Sequence, residues 1–368
     1  MTLAPGDRDV DVLVVGGGQA GLAAGFHLRR AGLDPVILDA ADRPGGAWPR
    51  TWDSLRLFSP AAYSSLPGMR MPPFPGPGFP TAGHVSSYLA AYEQRYDLDV
   101  VRPVRVTSVR AEEARPDSRL VVESEAGATW RARGVVSATG TWERPFWPAY
   151  SGMAGFRGRH LHAADYRRPE GFEGARVVVV GGGNTAAQLL AEVSTVAHTT
   201  WVAPRPPRFM PDDVDGRVLF GVATRRRRAL DAGDTGDAGV GGLGDIVMVP
   251  PVREARDRGV LDARPMFSHV VPDGVAWRDG SHEPADVILW CTGFRPALAH
   301  LAPLHLGRAH GVVPTVPVGP VAGTRAAADP RVHLLGYGDW TGPASATLIG
   351  VGRTARDAAR DLADLPFM

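Results

Sequence analysis

The chain has 368 residues, 44% of them hydrophobic, enough material for two packed domains. Its 40 basic residues, every one an arginine, balance 39 acidic ones to a formal net charge of +1, which gives no electrostatic reason to expect nucleic acid or an anionic membrane as partner. One cysteine, Cys291, excludes an intrachain disulfide and any redox pair of thiols.

No stretch approaches the ~20 apolar residues of a membrane span. Asp7, Arg8, Asp9 and Asp11 stand where a secretory leader would be positive, so a cytoplasmic protein is expected. In chain order, the run Asp11 to Val15, apolar from Val12 on, suits a strand buried on both faces of a parallel sheet. A glycine cluster follows, then a helix from Leu22 to Ala31 stopped by Gly32, then a second strand from Pro35 to Leu38 ending at Asp39. This is a βαβ unit of about 30 residues. Gly45 to Phe79 reads as an ordered irregular segment, and Val85 to Arg95 as a helix. Val104–Val109, Arg119–Glu123, Thr129–Arg133 and Val135–Ala138 read as strands.

The pattern then restarts. Arg176 to Val180 is an apolar strand, a second glycine cluster opens a helix over Ala187–Val196, and Thr200 to Ala203 is the next strand. Ala232 to Gly244 reads as a mobile loop and Arg225 to Arg228 as a solvated basic face. Asp286 to Trp290 and Val332 to Gly336 are the last clear strands, and Ala346 to Leu362 the last helix. The expected fold class is α/β with two Rossmann-like parallel-sheet domains, the second inserted in the first. An FAD-binding domain is expected over 1–145 and 285–368, and an NADPH-binding domain over 146–284.

The first cluster fits G-x-G-x-x-G at Gly16, Gly18 and Gly21, with Gln19 and Ala20 opening the helix. Gly16 permits the tight turn, Gly18 lets the backbone approach a pyrophosphate, and Gly21 lets the helix pack close to the strand. The helix N-terminus offers free N–H groups to the phosphates, and Asp39 stands where a ribose-binding acid belongs. The second cluster fits G-x-G-x-x-A at Gly181, Gly183 and Ala186, with Asn184 and Thr185 between. Its second strand ends in Ala203-Pro204-Arg205, with no acid. An arginine there pairs with a 2′-phosphate that an acid would repel, so the first site should take FAD and the second NADPH; Arg208 is the alternative to Arg205. His269, His282, His300, His305 and His310 show no metal-ligand spacing, and no metal is expected.

The order of these fingerprints with Ala138-Thr139-Gly140, Cys291-Thr292-Gly293 and Gly338-Asp339 resembles the two-dinucleotide-binding-domain flavoproteins. That resemblance implies cofactor contacts at Thr139, Gly140, Thr292 and Gly293, whose strands would form the two crossings between domains, and a hydrogen bond from FAD to Asp339. Gly45-Gly46-Ala47-Trp48 is similar to the G-G-x-W segment of class B flavin monooxygenases, which marks Gly46 and Trp48. Phe156-x-Gly158-x-x-x-His162-x-x-x-Tyr166 matches their fingerprint, with Tyr where Baeyer–Villiger members usually have Trp. His162 and Tyr166 are therefore expected as linker residues between domains. The runs from Trp52 to Pro60, Pro211 to Arg217 and Gly336 to Ala344 look like the ArsO-type flavin monooxygenases of bacterial arsenical-resistance operons. The resemblance implies hydride transfer from NADPH to flavin, reaction with O2 through a C4a-(hydro)peroxyflavin, and oxygenation of a small molecule at sulfur, nitrogen or trivalent arsenic. Phe58 and Ser59 fall where better-known members carry an asparagine beside the flavin. No side chain is singled out as a catalytic nucleophile. An NADPH-dependent reductase of the same architecture is the alternative, and a homo-oligomer is left open.

Overall fold

The computed structural model describes residues 8–113, 115, 118–233, 245–317 and 323–365. The first sheet begins with β1 (Arg8–Val15), followed by α1 (Gln19–Arg30) and β2 (Pro35–Leu38). After α2 (Ala82–Arg95) come β3 (Val100–Val101), β4 (Val106–Ala111), β5 (Leu120–Ser124) and β6 (Thr129–Ser137). Their order is β3-β2-β1-β6-β5-β4, parallel from β3 to β6 and antiparallel through β5 and β4.

The second sheet is built from β7 (Arg159–His162), β8 (Arg176–Val180), α3 (Asn184–Val193) and β9 (His198–Ala203). Then come α4 (Gly216–Asp231), α5 (Pro250–Asp257), β10 (Ala263–Pro265), a small antiparallel meander of β11 (His269–Val271), β12 (Gly274–Ala276) and β13 (His282–Pro284), and β14 (Val287–Trp290). The order β10-β9-β8-β14-β7 is parallel throughout. The chain then returns to the first sheet, where β15 (Val332–Leu334) pairs with the end of β6 and α6 (Val351–Ala363) packs against α1. Because β14 pairs within the second sheet, the return crossing follows Trp290, later than the expected residue 285.

The apolar strands behave as a doubly covered parallel sheet requires. Leu13, Val14, Ile37, Val178, Val179 and Leu289 are buried on both faces of their sheets. The two runs expected at Thr129–Arg133 and Val135–Ala138 are one continuous strand, β6. Gly134 between them is no breaker; it makes room for α6, since a Cβ there would lie 2.5 Å from Leu362 Cδ2. The last helix starts at Val351 rather than Ala346. The loop expected from Ala232 lies largely outside the described residues. Arg225 and Arg228 are exposed on α4.

Candidate cofactor site

The two glycine turns are built alike. Gly16 N–H donates to Leu38 O and Gly181 N–H to Val202 O, at 2.8 and 2.9 Å. Each turn also abuts the strand carrying its threonine-glycine pair: Ala138 N–H donates to Val15 O and Cys291 N–H to Val180 O, both at 2.8 Å. Gly16 has φ of +108° and Gly181 +141°, and a Cβ would fall 2.6 Å from Ala138 O in the first case and 2.4 Å from Cys291 O in the second. A Cβ on Gly21 would stand 1.8 Å from Gly16 O, so α1 seats directly on its turn. In the second turn the equivalent seat is the fully buried Ala186. Gly18 and Gly183 occupy the N-caps of α1 and α3, with no side-chain cap on either helix. The leading N–H groups are thus left for an anion.

A cavity of about 670 Å³ opens over the first turn. Gly16, Gly18, Gln19, Ala20, Asp39, Gly46, Trp48, Thr139 and Gly140 all line it. Gly46, at φ +60°, rests against Gly18, where a Cβ would lie 2.8 Å from Gly18 Cα. The Gln19 carboxamide joins two walls, accepting from Trp48 Nε1 at 3.1 Å and donating to Ala346 O at 2.8 Å. Asp39 is buried at the end of β2, and Gly17 yields to it, since a Cβ there would meet Asp39 Oδ2 at 2.6 Å. A cavity of this size with an uncapped helix end and a buried carboxylate in its wall fits a dinucleotide such as FAD.

Below Thr139 lies a polar network that the motifs did not reveal. Its hydroxyl donates to Ala297 O at 2.7 Å and meets Tyr337 Oη at 2.8 Å. Tyr337 Oη bonds Ser137 Oγ at 2.7 Å, and Ser137 Oγ reaches His300 Nε2 at 3.1 Å. Burial raises the Tyr337 phenol and pulls His300 down to about 4, so both are neutral near pH 7. Also in the cavity wall, Arg50 and Arg105 converge on Glu143, whose carboxyl is lowered chiefly by its hydrogen bond to Arg50. These partners come from distant segments, and no local pattern announces them.

Gly181, Gly183, Asn184, Thr185, Ala186 and Arg205 lie apart from this cavity, around the second turn. The Asn184 side chain pins the chain that crosses beside α3, donating to Asp245 O at 2.9 Å and accepting from Val247 N–H at 2.8 Å. Arg208 forms a two-pronged pair with Asp245 at 2.8 and 2.7 Å. Arg205 is exposed, its backbone flanking Gly182. Asp339 is exposed at the start of a short 3-10 turn, close in sequence to the cavity-lining Gly336 and Ala346.

The two crossings between sheets pair with each other. Phe146 N–H donates to Gly293 O at 2.9 Å, Arg295 N–H donates to Arg144 O at 2.8 Å, and Thr292 Oγ1 donates to Phe146 O. His162 ends β7 with no exposure to solvent, its ring beside Trp147 and Phe294. Its Nδ1 accepts from Ala164 N–H at 3.0 Å, and burial lowers its pKa. Tyr166 is buried in a core with Trp52, Phe172 and Leu189. Burial, then the nearby Glu192 carboxylate, pushes its phenol up. Phe58 and Ser59 are not in the wall of the cavity. Phe58 packs near Met210 and Val214 and accepts from Gly216 N–H at 2.7 Å; Ser59 Oγ bonds Ser64 Oγ at 2.9 Å.

Residues 13–218 match the family described as pyridine nucleotide-disulphide oxidoreductase. The flavin-containing monooxygenase from Stenotrophomonas maltophilia is 51% identical, covers 96% of this chain and 98% of its own, and superposes with a TM-score of 0.85. An uncharacterised CzcO-like oxidoreductase of Geobacillus kaustophilus is 28% identical over 77% of this chain and 80% of its own. Cyclohexanone monooxygenase, 18% identical over 97% of this chain and 88% of its own, shares the fold with a TM-score of 0.70. On a family match over more than half its length and a relative 51% identical almost end to end, the chain belongs to the flavin-containing monooxygenase family, oxidoreductases that use FAD and NADPH.

Proposed function

We propose that this protein is an ArsO-type, class B-like monooxygenase that uses FAD and NADPH to insert one oxygen atom of O2 into a soft heteroatom: sulfur, nitrogen or trivalent arsenic. For an organic sulfide the balance is sulfide + O2 + NADPH + H⁺ → sulfoxide + NADP⁺ + water. The observation that carries this reading is the doubled glycine turn in a chain with a single cysteine. Two dinucleotides can be held, and no thiol pair is present to take their electrons.

The bound flavin supplies the hydride acceptor and the O2 chemistry. The first sheet and the segments to about residue 145 and after Trp290 hold FAD. Backbone N–H groups at Gly18 and Gln19 would serve its pyrophosphate, Asp39 would accept from ribose, and Asp339 would contribute a further acceptor. The inserted sheet would hold NADPH, the N-terminus of α3 serving the pyrophosphate and Arg205 the 2′-phosphate. Arg208 is tied to Asp245, which favours Arg205 for that task. His162 and Tyr166 act as linker residues. No helix among the described residues is long and apolar enough to cross a membrane. A small-molecule substrate in the cytoplasm and a role in arsenic resistance complete the reading.

The test is oxygen-18 incorporation. Enzyme, NADPH and ¹⁸O2 are incubated with methyl phenyl sulfide, a tertiary amine or trivalent methylarsonous acid, and the product mass is read. Label in the product supports the reading. NADPH oxidation that delivers electrons to a quinone or ferredoxin, with no label in any product, assigns the chain to the reductase alternative.

A further inference from the structure

Three charged side chains from three separate elements meet behind the cofactor cavity. Asp39 closes β2, Arg102 follows β3, and Glu93 lies on α2. Arg102 Nε donates to Asp39 Oδ2 at 3.0 Å. Its two terminal nitrogens grip Glu93, with 2.6 Å to Oε1 and 2.7 Å to Oε2. The side chains of Arg102 and Asp39 are each 10% exposed and that of Glu93 is 16% exposed, so solvent replaces little of this contact. The backbone fixes the geometry further: Asp39 N–H donates to Val101 O at 3.1 Å and Val104 N–H to Asp39 O at 2.8 Å.

The arrangement divides the Asp39 carboxylate into two ends. Oδ2 takes the guanidinium and lies against Gly17. Oδ1 accepts only a long bond of 3.3 Å from Ala41 N–H. Asp39 lines the cavity and Arg102 does not. We propose that Arg102, braced by Glu93, is a positioning residue that turns Asp39 Oδ1 toward the adenosine ribose of the cofactor. This rests on the assignment of the first glycine turn to FAD. The guanidinium has a second effect on charge. With it, the cluster carries one net negative charge beside an anionic cofactor; without it, two carboxylates share a nearly dry site with no cation. Arg105, the next arginine, is directed to Glu125 and Glu143 and does not substitute.

The experiment follows FAD release from diluted holoenzyme by the rise of flavin fluorescence, with ADP affinity and thermal midpoint measured alongside. Arg102→Met should raise the FAD Kd about tenfold or more, the scale of one charge-assisted hydrogen bond. ADP, which carries the ribose without the flavin, should weaken by the same factor. Arg102→Lys should recover part of the loss, and Glu93→Gln should give a smaller loss with the same FAD-to-ADP parallel. The double variant Arg102→Met with Glu93→Gln should bind better than Arg102→Met alone, since one of the two uncompensated carboxylates is gone. A lowered thermal midpoint with unchanged Kd for both ligands means a merely structural ion pair and overturns the inference. Should Arg102→Met fail to fold, Glu93→Gln decides, and an unchanged Kd there overturns it equally. Asp39→Asn is the control: if it leaves the FAD Kd unchanged, the assignment of Asp39 to the ribose fails first.

Discussion

At the scale of single residues, the cofactor site depends on atoms that are missing. Gly46 sits at φ +60° with Gly18 so near that a Cβ would come within 2.8 Å of its Cα. The Cβ is fixed rigidly to its own backbone and the atom it would meet is backbone too, so neither side can yield cheaply. Gly46→Ala should therefore purify without yellow colour and resist reconstitution, while the far-UV circular dichroism stays that of the parent. A second residue-scale expectation concerns coenzyme choice. Arg208 is held by Asp245, whose carboxyl is lowered chiefly by that hydrogen bond, whereas Arg205 stands exposed beside the second turn. Arg205→Ala should cut the ratio of kcat/KM for NADPH over NADH by about tenfold, the lower end of a charged hydrogen bond in water. Arg208→Ala should change that ratio less. An equal or larger effect at Arg208 would exchange the two roles.

At the scale of elements, the sequence is most legible where strands are buried on both faces. Pro35–Leu38 and Arg176–Val180 stand at the bounds their apolar runs announce, because nothing polar interrupts them. Legibility fails where packing overrules a local signal. Gly134 suggests a break but lies within β6, covered by Leu362. The helix expected from Val85 begins three residues earlier, at Ala82, because Thr81 caps it by accepting from His84 N–H at 3.2 Å. Strand β7 has no signal of its own; its sequence Arg-His-Leu-His looks exposed, yet it joins the edge of the second sheet beside β14. In the site, the glycines and Asp39 are readable from their spacing. Arg102, Tyr337 and His300 are not, since their partners lie 63, 198 and 163 residues away. Tyr166 belongs to this scale, because the core around it joins the linker to α3 and to Trp52. Tyr166→Ala should lower unfolding stability by about 3 kcal/mol or more, seen as a lower urea midpoint, with the FAD Kd of the folded fraction unchanged. Loss of flavin in proportion to lost stability would instead make Tyr166 part of the cofactor site.

For the whole molecule, buried histidines set a response to acid. Burial depresses His300 to about 4 and His333 to about 3, both from 6.5. Their folded values lie below the unfolded one, so the unfolded chain takes up the proton first. Their effect is absent above about pH 6.5 and grows as the pH falls from there toward 4 and 3, at up to about 1.4 kcal/mol per pH unit for each ring. The urea midpoint should drop between pH 7.5 and pH 5, and His333→Asn should flatten that drop; a parallel slope in the variant would place the acid sensitivity elsewhere. A different consequence follows from the segment between Trp48 and Ser59. Trp48, Arg50, Thr51 and Leu55 line the cavity, while Trp52 is buried in the core of the inserted sheet. Ser54 Oγ holds Glu192 on α3 at 2.8 Å, and Phe58 O holds the start of α4. One short stretch is thus anchored at the cavity wall and in the core of the inserted sheet at closely spaced residues. Any shift of one sheet against the other would have to strain this stretch, so the same residues that wall the cavity also limit how far the inserted sheet can swing.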